Sequence, residues 1–351
     1  MKILVINPGA TSTKIAVFDE MTEQFRANVE HSTEELAHFE KVADQMPYRK
    51  ELICKTLAAG GISLSEMDAV CGRGGLLKHI PSGTYRVNDA VIRDIMDPPY
   101  GEHASNLGAY IARELADPLG IPAYFVDPVC VDELNDLARV SGLKGIERQS
   151  FFHALNHKSV ARKAAAQLGK SYEELNLIVI HMGGGVSVAA HEKGRVVDNF
   201  NVKDDGSMGL DRGGALPVNA IINLCFSGMS KGEIKSLLGS RAGVVSYLGT
   251  KDFREIEQRA LAGEEDFSLI FRALAYQLAK DIGAMAAVLR FDVDAIIYTG
   301  GMAYSERFCE EISSYVGRIA PVLRLPGEEE MRALAEGALR ALHSGDYKEY
   351  H

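Results

Sequence analysis

Two arginines of this chain stand among glycines: Arg73 in Cys71-Gly72-Arg73-Gly74-Gly75 and Arg212 in Leu210-Asp211-Arg212-Gly213-Gly214. A guanidinium is a fixed fork of donors that matches carboxylate and phosphate oxygens two at a time. Glycine on either side lets such a fork reach an anion without steric cover, although a lone arginine is more often half of a surface ion pair. Histidines add further donors. His181 opens His181-Met182-Gly183-Gly184-Gly185, and His153 lies in Phe151-Phe152-His153-Ala154-Leu155-Asn156-His157. On a helix, His153 and His157 share a face, so a metal-ligating pair is the rival reading. No carboxylate follows at a local spacing to complete such a site, and Lys158 puts a cation beside it.

Other polar groups gather at glycine turns. Asn7, Thr11, Ser12, Thr13 and Lys14 surround Gly9, where a tight turn would offer backbone N–H groups and side-chain donors to phosphate oxygens. Gly183, Gly184 and Gly185 repeat the arrangement. Gly300 and Gly301 follow the apolar run Ala295-Ile296-Ile297 and leave bare backbone against which a base or ribose can lie; alone, the pair reads more readily as an ordinary strand-to-helix turn. The chain holds 34 glycines in 351 residues, above the average of about 7%. Neither a G-x-x-x-x-G-K-[ST] loop nor a strand–G-x-G-x-x-G–helix unit occurs, which excludes the two commonest nucleotide fingerprints.

The elements that must position these groups follow from the apolar pattern. Ile3-Leu4-Val5-Ile6 and Ile15-Ala16-Val17-Phe18 flank the first turn too closely for a crossover helix, so they predict a hairpin. Leu177-Ile178-Val179-Ile180 and Val186-Ser187-Val188-Ala189-Ala190 predict a second. Gly9 and Gly184 lie 175 residues apart, half the chain, which suggests an internal duplication. Strand-like segments at 68–71, 123–126 and 295–298 alternate with helical patterns at 107–115, 157–168, 267–289 and 331–342. That order predicts an α/β fold with helix-covered sheets. The stretch 146–150 reads as a boundary between a domain over 1–150 and another over 151–330, with a final helix over 331–351 returning to the first.

Composition narrows the partners. The formal net charge of −10 argues against nucleic acid and anionic membrane as partners. Five cysteines without a C-x-x-C spacing indicate neither a zinc ribbon nor a disulfide framework. The N-terminus lacks a signal-peptide pattern, and no apolar run approaches the roughly 18 residues of a membrane span. A cytoplasmic location is the expectation.

Asn7-Pro8-Gly9-Ala10-Thr11-Ser12-Thr13-Lys14 resembles the N-terminal signature of the acetate and butyrate kinase family, and His181-Met182-Gly183-Gly184-Gly185-Val186-Ser187 resembles its second signature. Residues 204–217 and the modest length resemble the butyrate kinase branch. The resemblance implies two duplicated ribonuclease H-like domains, as in sugar kinases, actin and chaperone ATPases, closing over a nucleotide in the cleft between them. It implies reversible transfer between ATP and a short-chain fatty acid, butyrate or isobutyrate, with Mg²⁺, and a homo-oligomer. Such an acid, with a pKa of about 5 by analogy with side-chain carboxyls, is already an anion at pH 7. It needs cations and donors around the transferring group rather than a general base.

By the same resemblance Arg73 and Arg212 bind the carboxylate and the phosphoryl group, and His153 and His181 stabilise phosphoryl charge. Asp127 and Glu329 are implied as the groups that approach Mg²⁺, and Asp252 and Arg254 lie near the adenosine. His103 lies near the acyl group. Phe152 and Gly75 are expected to shape that pocket, Gly75 by leaving room for a longer acid. Two alternatives stay open: another enzyme of the superfold, either a sugar kinase or a metal-dependent carbamoyl or phosphoryl transferase using His153 and His157, and a non-catalytic nucleotide switch.

Overall fold

Ile3–Ile6 are wholly buried inside the first of two sheets, as an apolar run between polar ends requires. The computed structural model describes residues 1–201 and 203–351. The chain divides into two units: Met1–Val131 with Ala154–Asn156 and Glu329–His351, and Asp132–His153 with His157–Glu328.

The first unit contains β1 (Lys2–Pro8), β2 (Ser12–Asp19), β3 (Thr22–Glu30), β4 (Ala69–Arg73), β5 (Thr84–Arg86) and β6 (Ala123–Val126), in the order β3-β2-β1-β4-β6-β5. β1 and β2 form the antiparallel hairpin, with Lys2 opposite Asp19 and Pro8 opposite Thr13, while β4 runs parallel to both β1 and β6. The second unit contains β7 (Asn176–Met182), β8 (Val186–Glu192), β9 (Arg195–Phe200), β10 (Ala295–Thr299) and β11 (Val322–Arg324), ordered β11-β10-β7-β8-β9. Its β7–β8 hairpin is antiparallel, and β10 runs parallel to both β7 and β11. An antiparallel meander followed by parallel strands on the other side of its first strand thus occurs twice. Even the register irregularity recurs, at Val17/Phe18 in β2 and Ala190/His191 in β8. The fold is mixed α/β and duplicated.

The last helix, Glu330–Ser344, packs Leu334, Ala335 and Ala338 against Ile3, Val5, Phe18 and Val126 of the first sheet. Gly337 makes that approach possible: a Cβ there would lie 2.5 Å from Val126 Cγ2. In the second unit, the long helix Glu265–Val288 lays Leu274, Leu278 and Ile282 on Ile178, Ile180, Val188 and Ala190. The other sheet face, through Leu177, Val179 and Ile297, receives Val160, Ala161 and Ala164 from the helix Ala154–Gln167. Each fully buried aliphatic side chain contributes about 1.5–3 kcal/mol.

The stretch 146–150, expected as a boundary, lies within the second unit. Arg148 ties it down by donating to Ala138 O, Asp198 Oδ1 and Asn199 O. Among the described residues, no helix is long and apolar enough to cross a membrane.

Candidate active-site residues

In the first unit, Arg73 ends β4 and meets Glu330 at the start of the last helix. Arg73 Nη1 donates to Glu330 Oε2 at 3.0 Å, and Nη2 lies 2.9 Å from Oε1. Asn7, at the end of β1, joins them: its Nδ2 donates to Glu330 Oε2 at 2.7 Å, and its Oδ1 accepts from Arg73 Nη1 at 3.3 Å. A two-point carboxylate–guanidinium contact fixes the plane of the fork. Of the glutamates at 328–330, the one that reaches Asn7 and Arg73 is therefore Glu330. Glu329 is exposed at the N-cap of the helix, and Glu328 faces His181 in the second unit.

The glycines around Arg73 do not expose it. A Cβ on Gly72 would fall 2.0 Å from Gly108 O, one on Gly74 would fall 2.7 Å from Pro128 Cβ, and one on Gly75 would fall 1.9 Å from Asn106 Oδ1. These are close approaches of β4 and the turn after it to the helix Asn106–Ala116 and to the loop after β6. The space at Gly75 expected for a longer acid is filled by Asn106, whose Oδ1 accepts from Leu76 N at 2.8 Å.

Asp127 follows β6 with a φ of 38° and is 2% exposed. Its Oδ1 accepts from Ser82 Oγ and from Gly83 N, each at 2.7 Å. His103 is exposed, its Nδ1 at 2.7 Å from Ser105 Oγ. At the first hairpin turn, Thr13 is fully buried and points inward, 2.7 Å from His31 Nε2 and 3.3 Å from Arg49 Nη1. Its hydroxyl is thus used inside the fold rather than at the surface of the turn. Thr11 and Lys14 are exposed and Ser12 is half-buried. Arg49, which the sequence did not single out, also donates to Gly9 O and Ala10 O and so braces the turn.

In the second unit, the β7–β8 turn is closed by Gly183 N donating to Gly185 O at 3.1 Å, and a Cβ on Gly184 would meet nothing within 4 Å. The Arg212 guanidinium lies over the turn, its Nη1 3.3 Å from where a Cβ of Gly185 would be. Here glycine does bring backbone and arginine together. His181, at the end of β7, is 1% exposed and stacks on His153 with ring centroids 3.9 Å apart. His181 Nε2 lies 3.1 Å from Glu328 Oε1. His153 Nδ1 and His157 Nε2 each lie 2.9 Å from Ser187 Oγ on β8. One hydroxyl thus engages one ring nitrogen of each histidine. Phe152, expected at the acyl pocket, is wholly buried and packs edge-on against His157 at 5.2 Å.

Asp252 caps the helix Phe253–Leu261, accepting from Arg254 N at 3.0 Å, and that hydrogen bond holds its carboxyl below the usual range. Asp252, Arg254, Glu257, Gly301, Tyr304 and Ser305 line a cavity of about 480 Å³ together with Phe253. Gly300 has a φ of 85° and would place a Cβ 2.5 Å from Met182 O, so this turn packs tightly on the end of β7. The structure therefore brings Asp252, Arg254 and Gly301 to one cavity, with Gly300 beside it.

A family model described as the Acetokinase family matches residues 139–316, half of the chain. The fold is similar to that of Porphyromonas gingivalis acetate kinase, with 21% identity, a TM-score of 0.79, and coverage of 96% of this chain and 99% of that one. It is also similar to a propionate kinase from Francisella tularensis subsp. tularensis SCHU S4, with 18% identity, a TM-score of 0.75, and coverage of 96% and 98%. An acetate kinase from Entamoeba histolytica shares 15% identity at a TM-score of 0.78, over 97% of this chain and 99% of that one.

Proposed function

The chain belongs to the acetokinase family of carboxylate kinases, and from that premise we propose that it transfers a phosphoryl group reversibly between ATP and a short-chain fatty acid, with butyrate as the preferred acid. The observation that carries the reading is the open turn at Gly184 with Arg212 lying over Gly185 and the stacked pair His153–His181 beside Ser187. Backbone, guanidinium and imidazole donors gathered in this way suit a transferring phosphoryl group, whose transition state spreads charge over its oxygens.

An acid that is already ionised attacks without losing a proton, so the work of the protein is orientation and charge neutralisation. Arg212 and the turn amides hold phosphoryl oxygens, and His153 and His181 donate to them. Arg73, its plane fixed by Glu330 and Asn7, presents guanidinium hydrogens to the acid carboxylate. The cavity lined by Asp252, Arg254 and Gly301 takes the adenosine. Mg²⁺ bound with the nucleotide would neutralise charge on its phosphates, with Asp127 and Glu329 as the residues that would approach it. The residues fit an ion that arrives with the nucleotide: Asp127 offers a hard carboxylate whose Oδ1 is held by Ser82 and Gly83, and Glu329 is exposed at its helix start. Mg²⁺ prefers few carboxylates and draws its other ligands from phosphate and water.

Butyrate is preferred here because residues 204–217 resemble that branch of the family. Trapping the acyl phosphate with hydroxylamine, for acids from acetate to valerate and including isobutyrate, tests both levels. Highest kcat/KM with butyrate supports the proposal; a preference for acetate or propionate replaces the acid; and no hydroxamate with any acid removes the activity.

A further inference from the structure

Behind His153 runs a line of buried polar side chains that the proposed chemistry does not use. Ser187 Oγ lies 2.9 Å from both His153 Nδ1 and His157 Nε2, His157 Nδ1 lies 3.4 Å from His191 Nε2, and His191 Nδ1 lies 2.7 Å from Tyr172 Oη. Tyr172, His157, Ser187 and His191 are all at most 3% exposed. The His157 and His191 rings are nearly parallel, 7° apart, with centroids at 5.6 Å. Burial holds both below the ordinary histidine range, with neighbouring positive groups adding to it, so each ring carries one N–H.

One N–H per ring makes the line directional. A phenol O–H is a better acid than a neutral imidazole N–H, and an imidazole nitrogen is a better acceptor than a phenol oxygen. Tyr172 therefore donates to His191 Nδ1, His191 donates from Nε2 to His157 Nδ1, and His157 donates from Nε2 to Ser187 Oγ. Ser187 in turn donates to His153 Nδ1. Its oxygen also accepts from His153 N at 3.4 Å, which with the His157 bond completes two accepted and one donated. His153 is left with its proton on Nε2.

We propose that Tyr172, His191, His157 and Ser187 form a buried relay that sets the tautomer of His153, keeping Nδ1 unprotonated as the acceptor from Ser187 and Nε2 protonated as a donor. These four are positioning residues. The kinetic consequence rests on the phosphoryl-transfer reading above, in which His153 must donate; the tautomer itself does not.

Nitrogen-15 spectra of the imidazoles, with His153 assigned by its own substitution, read the tautomer directly. The expected result is a protonated Nε2 in the wild type and a mixed tautomer in Ser187→Ala and Tyr172→Phe. Both variants should lose about 10-fold in kcat with an unchanged KM for the acid, and Ser187→Thr should restore both readouts. A wild-type His153 protonated on Nδ1, or a tautomer unmoved in both variants, overturns the relay. Wild-type protein without kinase turnover overturns the phosphoryl-transfer reading instead, and the nitrogen shifts then decide the relay alone.

Discussion

Arg73 and Glu330 are 257 residues apart in the chain and meet through two contacts, Nη1 to Oε2 at 3.0 Å and Nη2 to Oε1 at 2.9 Å. The carboxylate at the start of the last helix thus sets the plane of the guanidinium at the end of β4, and Asn7 bonds both.

Arg73→Ala should lower kcat by about 10²–10³-fold, the usual loss when a donor to the reacting group is removed. Glu330→Gln keeps the shape but weakens the fork, and should raise KM for the acid and lower kcat less. Steady-state kinetics on folded variants check this; near-normal turnover in Arg73→Ala refutes its role.

Arg212→Ala should likewise cost about 10²–10³-fold in kcat while leaving the melting temperature near that of the wild type, since Arg212 is only partly buried. A large loss of Tm with proportionate loss of activity would make it a structural brace.

Gly75→Val should destabilise rather than retune the acid preference. The new Cβ would meet Asn106 at 1.9 Å from Oδ1 and 2.6 Å from Cα and N, and overpacking of this kind costs roughly 1–3 kcal/mol or more. Thermal unfolding together with an acid series measures it; an unchanged Tm with a shift toward acetate would reinstate Gly75 as a pocket wall.

Stability should fall on mild acidification. His31 is 4% exposed, and burial with the nearby Arg49 lowers its pKa to about 4; burial likewise lowers His157 and His191. Below the usual histidine value near 6.5 the unfolded chain binds protons that the folded chain does not, so stability rises with pH through this window and is lost as pH drops toward 4. Denaturant unfolding at pH 7 and pH 5 checks the sign, and His31→Gln should reduce the slope by up to one proton. An unchanged slope in that variant contradicts the assignment.

Much of the scaffold was legible in the sequence because apolar runs broken by glycine mark both hairpins, and their repetition at half-length marked the duplication. Position 73 was legible as an arginine among glycines, but the reason was misread: Gly72, Gly74 and Gly75 serve helix and loop packing, a fact that only tertiary contact reveals. The pairing with Glu330 was hidden because three adjacent glutamates carry no register by themselves. Ser187 and His191 did carry a signal, since residues four apart on a strand share a face, as do His153 and His157 on a helix. Only the sheet geometry brings those two faces and Tyr172 together.

The most direct test of the central claim runs the reaction toward ATP. Purified chain supplied with Mg²⁺, ADP and acetyl, propionyl or butyryl phosphate should form ATP saturably, fastest with butyryl phosphate, and Arg212→Ala should abolish most of the rate. No ATP from any of the three acyl phosphates, by protein shown to be folded and nucleotide-binding, would contradict it.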